Sequence, residues 1–381
     1  MNRGVRAATA ACAALVIFAP ASALVFTGAG TPNENRTPVA FTGLDSGWHS
    51  IGAFGDFVAD RIPLRSRAVR TDAWVDEQVF DEDPAFGGAA SSRVIKGSDG
   101  FLFLADAIDN ACAPAVPPEN SAAHLSDLAG IIQESGRDVL MMVAPDKSSV
   151  HPELMDEFAK QQCFGEYTES LWQHLDDAEI AGFVNLRRLL RDASASTREP
   201  LYLRKDSHWD SAGSLVAIEA GIEHFQPGLW SDEEVNYRGL GEYTGDLTGL
   251  QGKPEVDEAP LYEVLRPDVV NQSTEVLDDI EGGFNRRFIN SAPAGRLIEG
   301  RTVMFVDSFG MVSLPQYVPF FEDLTVIRLV DFEAQRFADV IEDADRVWVM
   351  SVERSLSYRL ENEVGATAFL DLLRAQLLGS T

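Results

Sequence analysis

Basic residues are scarce in this chain of 381 residues: 31 Lys and Arg stand against 60 Asp and Glu, for a formal net charge of −29. A surface of that sign repels phosphate, which argues against a nucleic-acid partner and favours solubility. Repeats and low-complexity blocks are also absent, and hydrophobic residues make up 45% of the chain. The composition is therefore that of a globular protein with a substantial buried core.

Charge is missing altogether from one N-terminal run. Arg3 and Arg6 precede the apolar letters AATAACAALVIFAPASALVF, which end near the small residues Ala21 to Ala23. We expect residues 1–26 to be a signal peptide or an uncleaved signal anchor, and either predicts export of the rest. Residues 27–53, rich in Gly, Thr, Asn and Pro, are predicted to be a linker to a domain over 54–381.

Cysteines are few as well. Cys12 lies in the leader, which leaves Cys112 and Cys163 for an oxidising compartment. A disulfide between them would close a loop of about 50 residues; two unpaired buried thiols are the alternative. Two cysteines without a histidine cluster make a poor zinc site.

Apolar runs of strand length alternate with helical patterns through most of the predicted domain. A hairpin is predicted over Val94 to Asp106, and a loop-rich middle precedes the last strands. The other predicted strands are VLMMVAP (Val139 to Pro145), FVNL, LYL, TVMFVDS (Thr302 to Ser308), LTVIRLV (Leu324 to Val330) and RVWVMSV (Arg346 to Val352). This alternation predicts an α/β fold with a mainly parallel sheet covered on both faces.

Three chemically useful residues follow predicted strands. Asp206 and His208 come after LYL, and Ser308 ends TVMFVDS. Ligands bind at the carboxyl ends of parallel strands, so we expect these residues to form one site. A serine hydroxyl needs a base and a group that orients the base, which His208 and Asp206 could supply.

Each of these residues also has a structural interpretation. Asp206 and Ser308 could cap turns or helices, and His208 could be an ordinary core or surface histidine. Asp206 and His208 could alternatively bind a metal ion as an Asp-x-His pair. Their combination favours acyl transfer, a reaction for which we expect neither a metal nor a cofactor.

A set of motifs occurs along most of the chain in a familiar order. The motifs are DRIPLR (Asp60 to Arg65), VIKGSDGFLFL (Val94 to Leu104), VAPDKSSVHPE (Val143 to Glu153), DSHWDSAG, GDLTGL (Gly245 to Leu250), VDSFG (Val306 to Gly310) and VERSL (Val352 to Leu356). Together they resemble the alginate O-acetyltransferase family of the AlgX/AlgJ type.

The resemblance implies a three-layer α/β/α fold like that of SGNH hydrolases, and a Ser308, His208 and Asp206 triad. It implies acetyl transfer to polysaccharide hydroxyls outside the cytoplasmic membrane, beside a membrane-bound O-acyltransferase that supplies the acetyl group. The acid–base pair precedes the serine here, unlike the order in most SGNH hydrolases, so their oxyanion donors cannot be mapped.

The Ser308 amide is a candidate oxyanion donor, and Tyr317 and Arg328 are further candidates for substrate contact. Trp209, beside His208, is the best placed of the tryptophans to line the site. An acetylesterase with the same triad, and a non-catalytic polysaccharide-binding scaffold, are the alternative functions. No residue pattern specifies the polymer.

Overall fold

The computed structural model describes residues 94–155, 163–277 and 285–379. The predicted leader and linker lie outside the described residues, as does the part of the predicted domain before Val94. Within the described ranges, no helix is both long and apolar enough to cross a bilayer.

Strands and helices alternate through most of the described chain. The strands are β1 (Val94–Lys96), β2 (Leu102–Leu104), β3 (Asp138–Ala144), β4 (Phe183–Val184), β5 (Val235–Thr244), β6 (Val256–Val264), β7 (Val270–Val276), β8 (Arg286–Ser291), β9 (Ile298–Val306), β10 (Phe321–Arg328) and β11 (Arg346–Val352).

The helices before the long strand β5 are α1 (Ala105–Cys112), α2 (Pro118–Glu134), α3 (Lys147–Val150), α4 (Phe164–Asp177), α5 (Leu186–Thr197) and α6 (Ser211–Phe225). Those after it are α7 (Asp246–Leu250), α8 (Ser308–Val312), α9 (Leu314–Tyr317), α10 (Ala334–Glu342), α11 (Glu353–Asn362) and α12 (Thr367–Leu378).

A seven-stranded sheet organises the described residues, in the order β4-β3-β11-β9-β10-β8-β7. The pairs from β4 to β10 are parallel, whereas β8 and β7 add antiparallel strands at one end. This arrangement confirms the predicted α/β class and the mainly parallel sheet. The carboxyl ends of β3, β11 and β9 consequently lie side by side at one edge.

The apolar character of the central strands follows from burial on both faces. Along β3, Val139, Met141 and Val143 belong to one core cluster, and Leu140 and Met142 belong to the other. Successive side chains point to opposite faces, so a strand covered on both sides needs an unbroken apolar run. This is why VLMMVAP could be recognised from its letters alone.

Two predictions were wrong. LYL is not a strand of the sheet; Tyr202 forms only an isolated antiparallel bridge with Trp209, so Asp206 and His208 lie in a closed loop. The predicted loop-rich middle instead contains β5 to β8. Those strands are antiparallel and largely exposed, so they lack the continuous apolar runs by which the central strands were identified.

Residues 246–255 belong to a second compact unit. Within this segment, the carbonyl of Thr248 accepts a hydrogen bond from the Lys253 amide at 3.0 Å. The hydroxyl of Thr248 accepts another from the Glu255 amide at 3.1 Å. These bonds close a compact turn after α7.

A disulfide joins Cys112 to Cys163, with a Cα–Cα distance of 5.1 Å, which confirms the predicted pairing. It links the end of α1 to the residue before α4. A small apolar cluster beside it contains Phe103, Ile108 and Phe164. The crosslink therefore ties the N-terminal hairpin region to a helix that packs on the main sheet.

We predict that replacing both cysteines (Cys112→Ser with Cys163→Ser) lowers the free energy of unfolding by about 4 kcal/mol, since the open chain gains loop entropy. Urea titration of the variant and the oxidised wild type measures the difference. Reduced wild type is the control and should match the variant. A loss below about 1 kcal/mol would contradict the prediction.

Candidate active site

The loop between Tyr202 and Trp209 holds the predicted acid and base. Besides the bridge itself, the Leu203 amide donates to the His208 carbonyl at 3.1 Å, and the Asp210 amide donates to the Leu201 carbonyl at 3.1 Å. The chain therefore leaves and returns to the same place, which closes the six residues 203–208 into a loop.

Asp206 and His208 form a buried hydrogen-bonded pair. Oδ1 of Asp206 lies 2.7 Å from Nδ1 of His208 and also accepts the His208 backbone N–H at 2.9 Å. When Nδ1 of a neutral imidazole carries the proton and donates this hydrogen bond to the carboxylate, Nε2 is the nitrogen that can accept a proton. The pair has the arrangement of a general base with its orienting acid.

Ser308 is the first residue of α8, directly after β9. The preceding residue, Asp307, caps this short helix by accepting the Phe309 amide on Oδ1 at 3.0 Å. Its other oxygen, Oδ2, accepts the amide of Val352 at the end of β11. One carboxylate thus holds the serine turn to the neighbouring strand, and Ser308 itself stays half-buried rather than enclosed.

The glycine of the DSFG motif permits this tight turn. A Cβ atom built on Gly310 would lie 2.5 Å from Cγ1 of Val306, closer than real side chains approach each other. A larger residue would push α8 away from the end of β9. The motif therefore has a steric reason for its glycine.

Phe309 joins the serine turn to the acid–base loop. Its ring lies 4.9 Å from the His208 ring and 4.9 Å from the Trp209 ring, measured between centroids. The indole N–H of Trp209 donates to Ser313 Oγ at 3.1 Å, and that hydroxyl donates to the Phe309 carbonyl at 2.9 Å. Residues adjacent in sequence to Ser308 and His208 are therefore in direct contact.

Lys147 holds the acid–base loop through its ammonium group, a role that its place in the sequence did not predict. Its buried ammonium nitrogen lies 2.6 Å from the Leu203 carbonyl, 2.7 Å from the Asp206 carbonyl and 2.8 Å from the Leu102 carbonyl. An ammonium has three N–H donors, so each of these carbonyls can accept one. The only sequence signal was the position of Lys147 just past the end of β3.

A buried ionic cluster lies at the adjoining ends of β3 and β11. Asp146 pairs with the Arg354 guanidinium and accepts the Arg354 amide at 2.9 Å. The guanidinium carbon lies 5.4 Å from the centroid of the Phe309 ring. Arg354 consequently contacts the residue that follows Ser308.

Glu353 completes this cluster. Its carboxyl oxygens accept hydrogen bonds from the Trp172 indole at 3.0 Å and from the Asp146 amide at 3.0 Å. Burial, and then the charge of Asp146, raise the pKa of Glu353 to about 7. Burial also raises the pKa of Asp146, against the lowering effect of Arg354.

The remaining candidates occupy different settings. Tyr317 is fully buried against Trp348, with 6.0 Å between ring centroids, and burial raises its pKa. Arg328 ends β10 in register with Val306, and its guanidinium pairs with Asp331 at 2.9 Å. Arg328 therefore shares the edge of the sheet with the serine turn, and Tyr317 packs in the core. Substrate contact by either residue stays a prediction.

We predict that Glu353 makes the folded state less stable as pH rises. Because its pKa is higher in the folded than in the unfolded protein, its stabilising contribution is complete below about pH 4.5 and is lost as pH rises through about 7. Glu353→Gln should flatten the pH dependence of the unfolding free energy in this window, as measured by urea titration. The exposed Glu361→Gln on the same helix is the control, and equal slopes in both variants would contradict the prediction.

Comparison with known proteins agrees with the sequence motifs. Residues 94–281 match the family model for the SGNH hydrolase-like domain of acetyltransferase AlgX. That range includes Asp206 and His208, whereas Ser308 lies beyond it. No curated protein sequence matches the chain.

Solved structures that are similar to this chain include the following three. The O-acetyltransferase domain of Pseudomonas putida AlgJ has 14% identity and a TM-score of 0.45, over 74% of this chain and 98% of its own. Bacillus cereus PatB1 with a sulfonyl adduct has 11% identity and a TM-score of 0.49, over 72% and 99%. Pseudomonas aeruginosa AlgX has 11% identity and a TM-score of 0.43, over 74% and 65%.

The family match and the mainly parallel sheet agree with the fold and family that the motifs indicated. Residues 94–281 of this chain therefore resemble the SGNH hydrolase-like domain of acetyltransferase AlgX.

Proposed function

We propose that this protein moves an acetyl group onto the hydroxyls of a polysaccharide through a covalent intermediate on Ser308. His208 acts as the general base and acid, and Asp206 orients its ring. The observation that carries the proposal is the 2.7 Å bond between Asp206 and His208, in a loop that contacts the residue after Ser308. The family match supports acetyl transfer as the reaction class.

In the first half-reaction, Ser308 Oγ attacks the carbonyl carbon of the acetyl donor, and its proton passes to His208 Nε2. The tetrahedral intermediate places negative charge on the carbonyl oxygen, for which the Ser308 amide is the candidate donor. Collapse of the intermediate breaks the bond to the leaving group, which takes the proton from His208. Acetyl-Ser308 and a neutral imidazole remain.

In the second half-reaction, a sugar hydroxyl attacks the acetyl-serine while His208 accepts its proton. The new ester forms, the bond to Ser308 Oγ breaks, and the proton returns to the serine. Water in place of the sugar would make the same chemistry an esterase. Transfer therefore depends on positioning the sugar and keeping water away from the acyl-enzyme.

The setting of the reaction follows from the N-terminal run and from the motif resemblance. A leader over residues 1–26 would place the domain outside the cytoplasmic membrane, either released or anchored. A membrane-bound O-acyltransferase is the proposed source of the acetyl group, since an exported enzyme needs a donor on that side. The net charge of −29 argues against a nucleic-acid partner, and none of these steps requires one.

We predict that Ser308→Ala lowers acyl transfer by a factor on the order of 10⁴ or more, because the attacking hydroxyl is gone. p-Nitrophenyl acetate is the donor, and mass spectrometry of a peptide containing residue 308 detects the acetyl group. Ser273→Ala, at an exposed position on β7, is the control and should behave as wild type. Wild-type turnover in Ser308→Ala with a preserved fold would contradict the mechanism and favour a non-catalytic scaffold.

The same assay separates a transferase from an esterase. With a neutral oligosaccharide present, a transferase releases nitrophenol faster and yields an acetylated sugar. An esterase releases nitrophenol at an unchanged rate and yields acetate alone. The second result would replace the proposed acceptor with water.

We predict that Lys147→Met lowers activity because the loop that holds Asp206 and His208 loses its anchor. The carbonyls of Leu102, Leu203 and Asp206 lose this donor, which should lower the unfolding free energy by roughly 3 kcal/mol or more, at about 1–3 kcal/mol each. Turnover should fall on the order of 10²-fold, the effect of a misplaced catalytic pair, with little change in KM for p-nitrophenyl acetate.

A proton NMR signal from the His208 Nδ1–H bond to Asp206 reports the loop directly and should disappear in Lys147→Met. Lys96→Met, at an exposed lysine, is the control for the loss of one positive charge. If Lys147→Met keeps both the signal and the turnover, Lys147 does not position the pair.

A further inference from the structure

An open groove of about 580 Å³ lies beside α8 and α9. Its walls are the β5–β6 hairpin and the start of α6, with residues 312–316 on the third side. This volume is within the range of roughly 300–1,000 Å³ that is usual for small-molecule sites. Its lining includes neither Lys147 nor the Asp146, Glu353 and Arg354 cluster at the ends of β3 and β11.

Hydrogen bonds fix the floor of the groove. The Gln316 amide donates to the Ser211 carbonyl at 3.3 Å and to the Tyr262 carbonyl at 3.2 Å, and its oxygen accepts the Ser214 hydroxyl. The Ser211 hydroxyl accepts the Tyr262 amide at 2.8 Å and donates to the Pro260 carbonyl at 2.7 Å. These bonds join β6 to both α6 and α9, so the groove is formed before any ligand arrives.

The lining combines apolar side chains with tyrosines. Leu261, Leu265 and Val312 line the groove and are all exposed, so each presents apolar surface to solvent. Tyr243 and Tyr262 add half-buried aromatic rings that carry hydroxyls. Apolar faces next to hydroxyl groups suit the C–H faces and hydroxyl edges of sugar rings.

The charges on the groove select against an acidic polymer. Among the described residues that line it, the charged ones are Asp210, Glu242 and Glu263. Asp210 caps α6, and Glu263 pairs with Arg238 at 3.3 Å, whereas Glu242 is exposed opposite Glu258 in the hairpin. Carboxylates accept hydrogen bonds from sugar hydroxyls but repel uronates, and the net charge of −29 adds long-range repulsion.

The groove reaches the proposed nucleophile through α8. This helix begins at Ser308, and Val312, one turn later, lines the groove. Residues four apart lie on the same face of a helix, separated by roughly 6 Å along its axis. Trp209, the neighbour of His208, forms part of the same wall. A polymer in the groove would therefore run close to an acetyl group on Ser308.

We propose that this groove binds the acceptor as a segment of uncharged polysaccharide, and that its carboxylates exclude polyuronates such as alginate. The inference rests on the proposed function for the role of the bound glycan as acceptor. The sugar rings lie on Leu261, Val312 and the two tyrosines, and Glu242 accepts hydroxyl hydrogen bonds at the rim. One hydroxyl is thereby presented to acetyl-Ser308.

Isothermal titration calorimetry of the full chain with hexasaccharides tests the groove without catalysis. The probes are neutral hexamers of glucose, mannose and N-acetylglucosamine, and an acidic hexamer of mannuronate. We expect at least one neutral hexamer to bind tenfold or more tightly than hexamannuronate. Binding of no neutral hexamer, or equal or tighter binding of hexamannuronate, would overturn the proposal; a protein partner would then be the better occupant.

Two matched pairs of variants locate the binding. Leu261→Arg, within the groove, should weaken binding of the neutral hexamer at least tenfold. The Leu240→Arg variant, changed at an exposed position on the same hairpin outside the groove, should bind this hexamer as tightly as the wild type. Glu242→Lys should strengthen hexamannuronate binding severalfold, and Glu258→Lys, its cross-strand partner, should not. Circular dichroism verifies folding, and equal effects within either pair would contradict the assignment.

The wild-type protein also separates the two proposals. Acetylation of Ser308 by p-nitrophenyl acetate reports the proposed function, and calorimetry reports the groove. Glycan binding without acetyl-Ser308 would overturn the proposed function and leave the groove assignment standing. Acetyl-Ser308 without glycan binding would do the opposite.

Discussion

The parallel pairing of β3, β11 and β9 is the constraint on which the site depends. Ala144 is in register with Val352, and Met350 is in register with Val306, so these strands end at one edge. Everything attached to those ends is brought together as a consequence: the Lys147 anchor, the Glu353 cluster and the serine turn. Asp307 reinforces the arrangement because its carboxylate spans the gap between β9 and β11.

Burial of several charges around this edge has a structural explanation. An uncompensated buried charge is strongly unfavourable, and each charge here has specific partners. Lys147 donates to backbone carbonyls, Asp146 pairs with Arg354, and Glu353 accepts two N–H donors. The partners belong to distant parts of the sequence, so the cluster fixes how those parts pack. It thereby holds a loop and a turn that have little regular structure of their own.

Much of the fold could be predicted, because the signals of buried parallel strands are local. The runs at β3, β9, β10 and β11 are apolar throughout, as burial on both faces requires. The exposed hairpin and the antiparallel strands were missed because their side chains alternate and carry polar residues. The prediction of a strand at LYL was wrong because a run of three apolar residues is compatible with either a sheet strand or the closing segment of a loop. The bridge between Tyr202 and Trp209 shows that it closes a loop.

The sequence by itself determined the chemistry that is available: the Asp-x-His pair, the serine after a buried strand, the cysteine pair and the acidic surface. Residue types, apolar runs and short spacings indicate these properties before any contact between distant segments is known. Only the tertiary structure decided what holds that chemistry in place, including the carbonyls around Lys147, the raised pKa of Glu353 and the groove beside α8. These features join segments far apart in the chain, and packing sets the distances on which hydrogen bonds, burial and charge interactions depend.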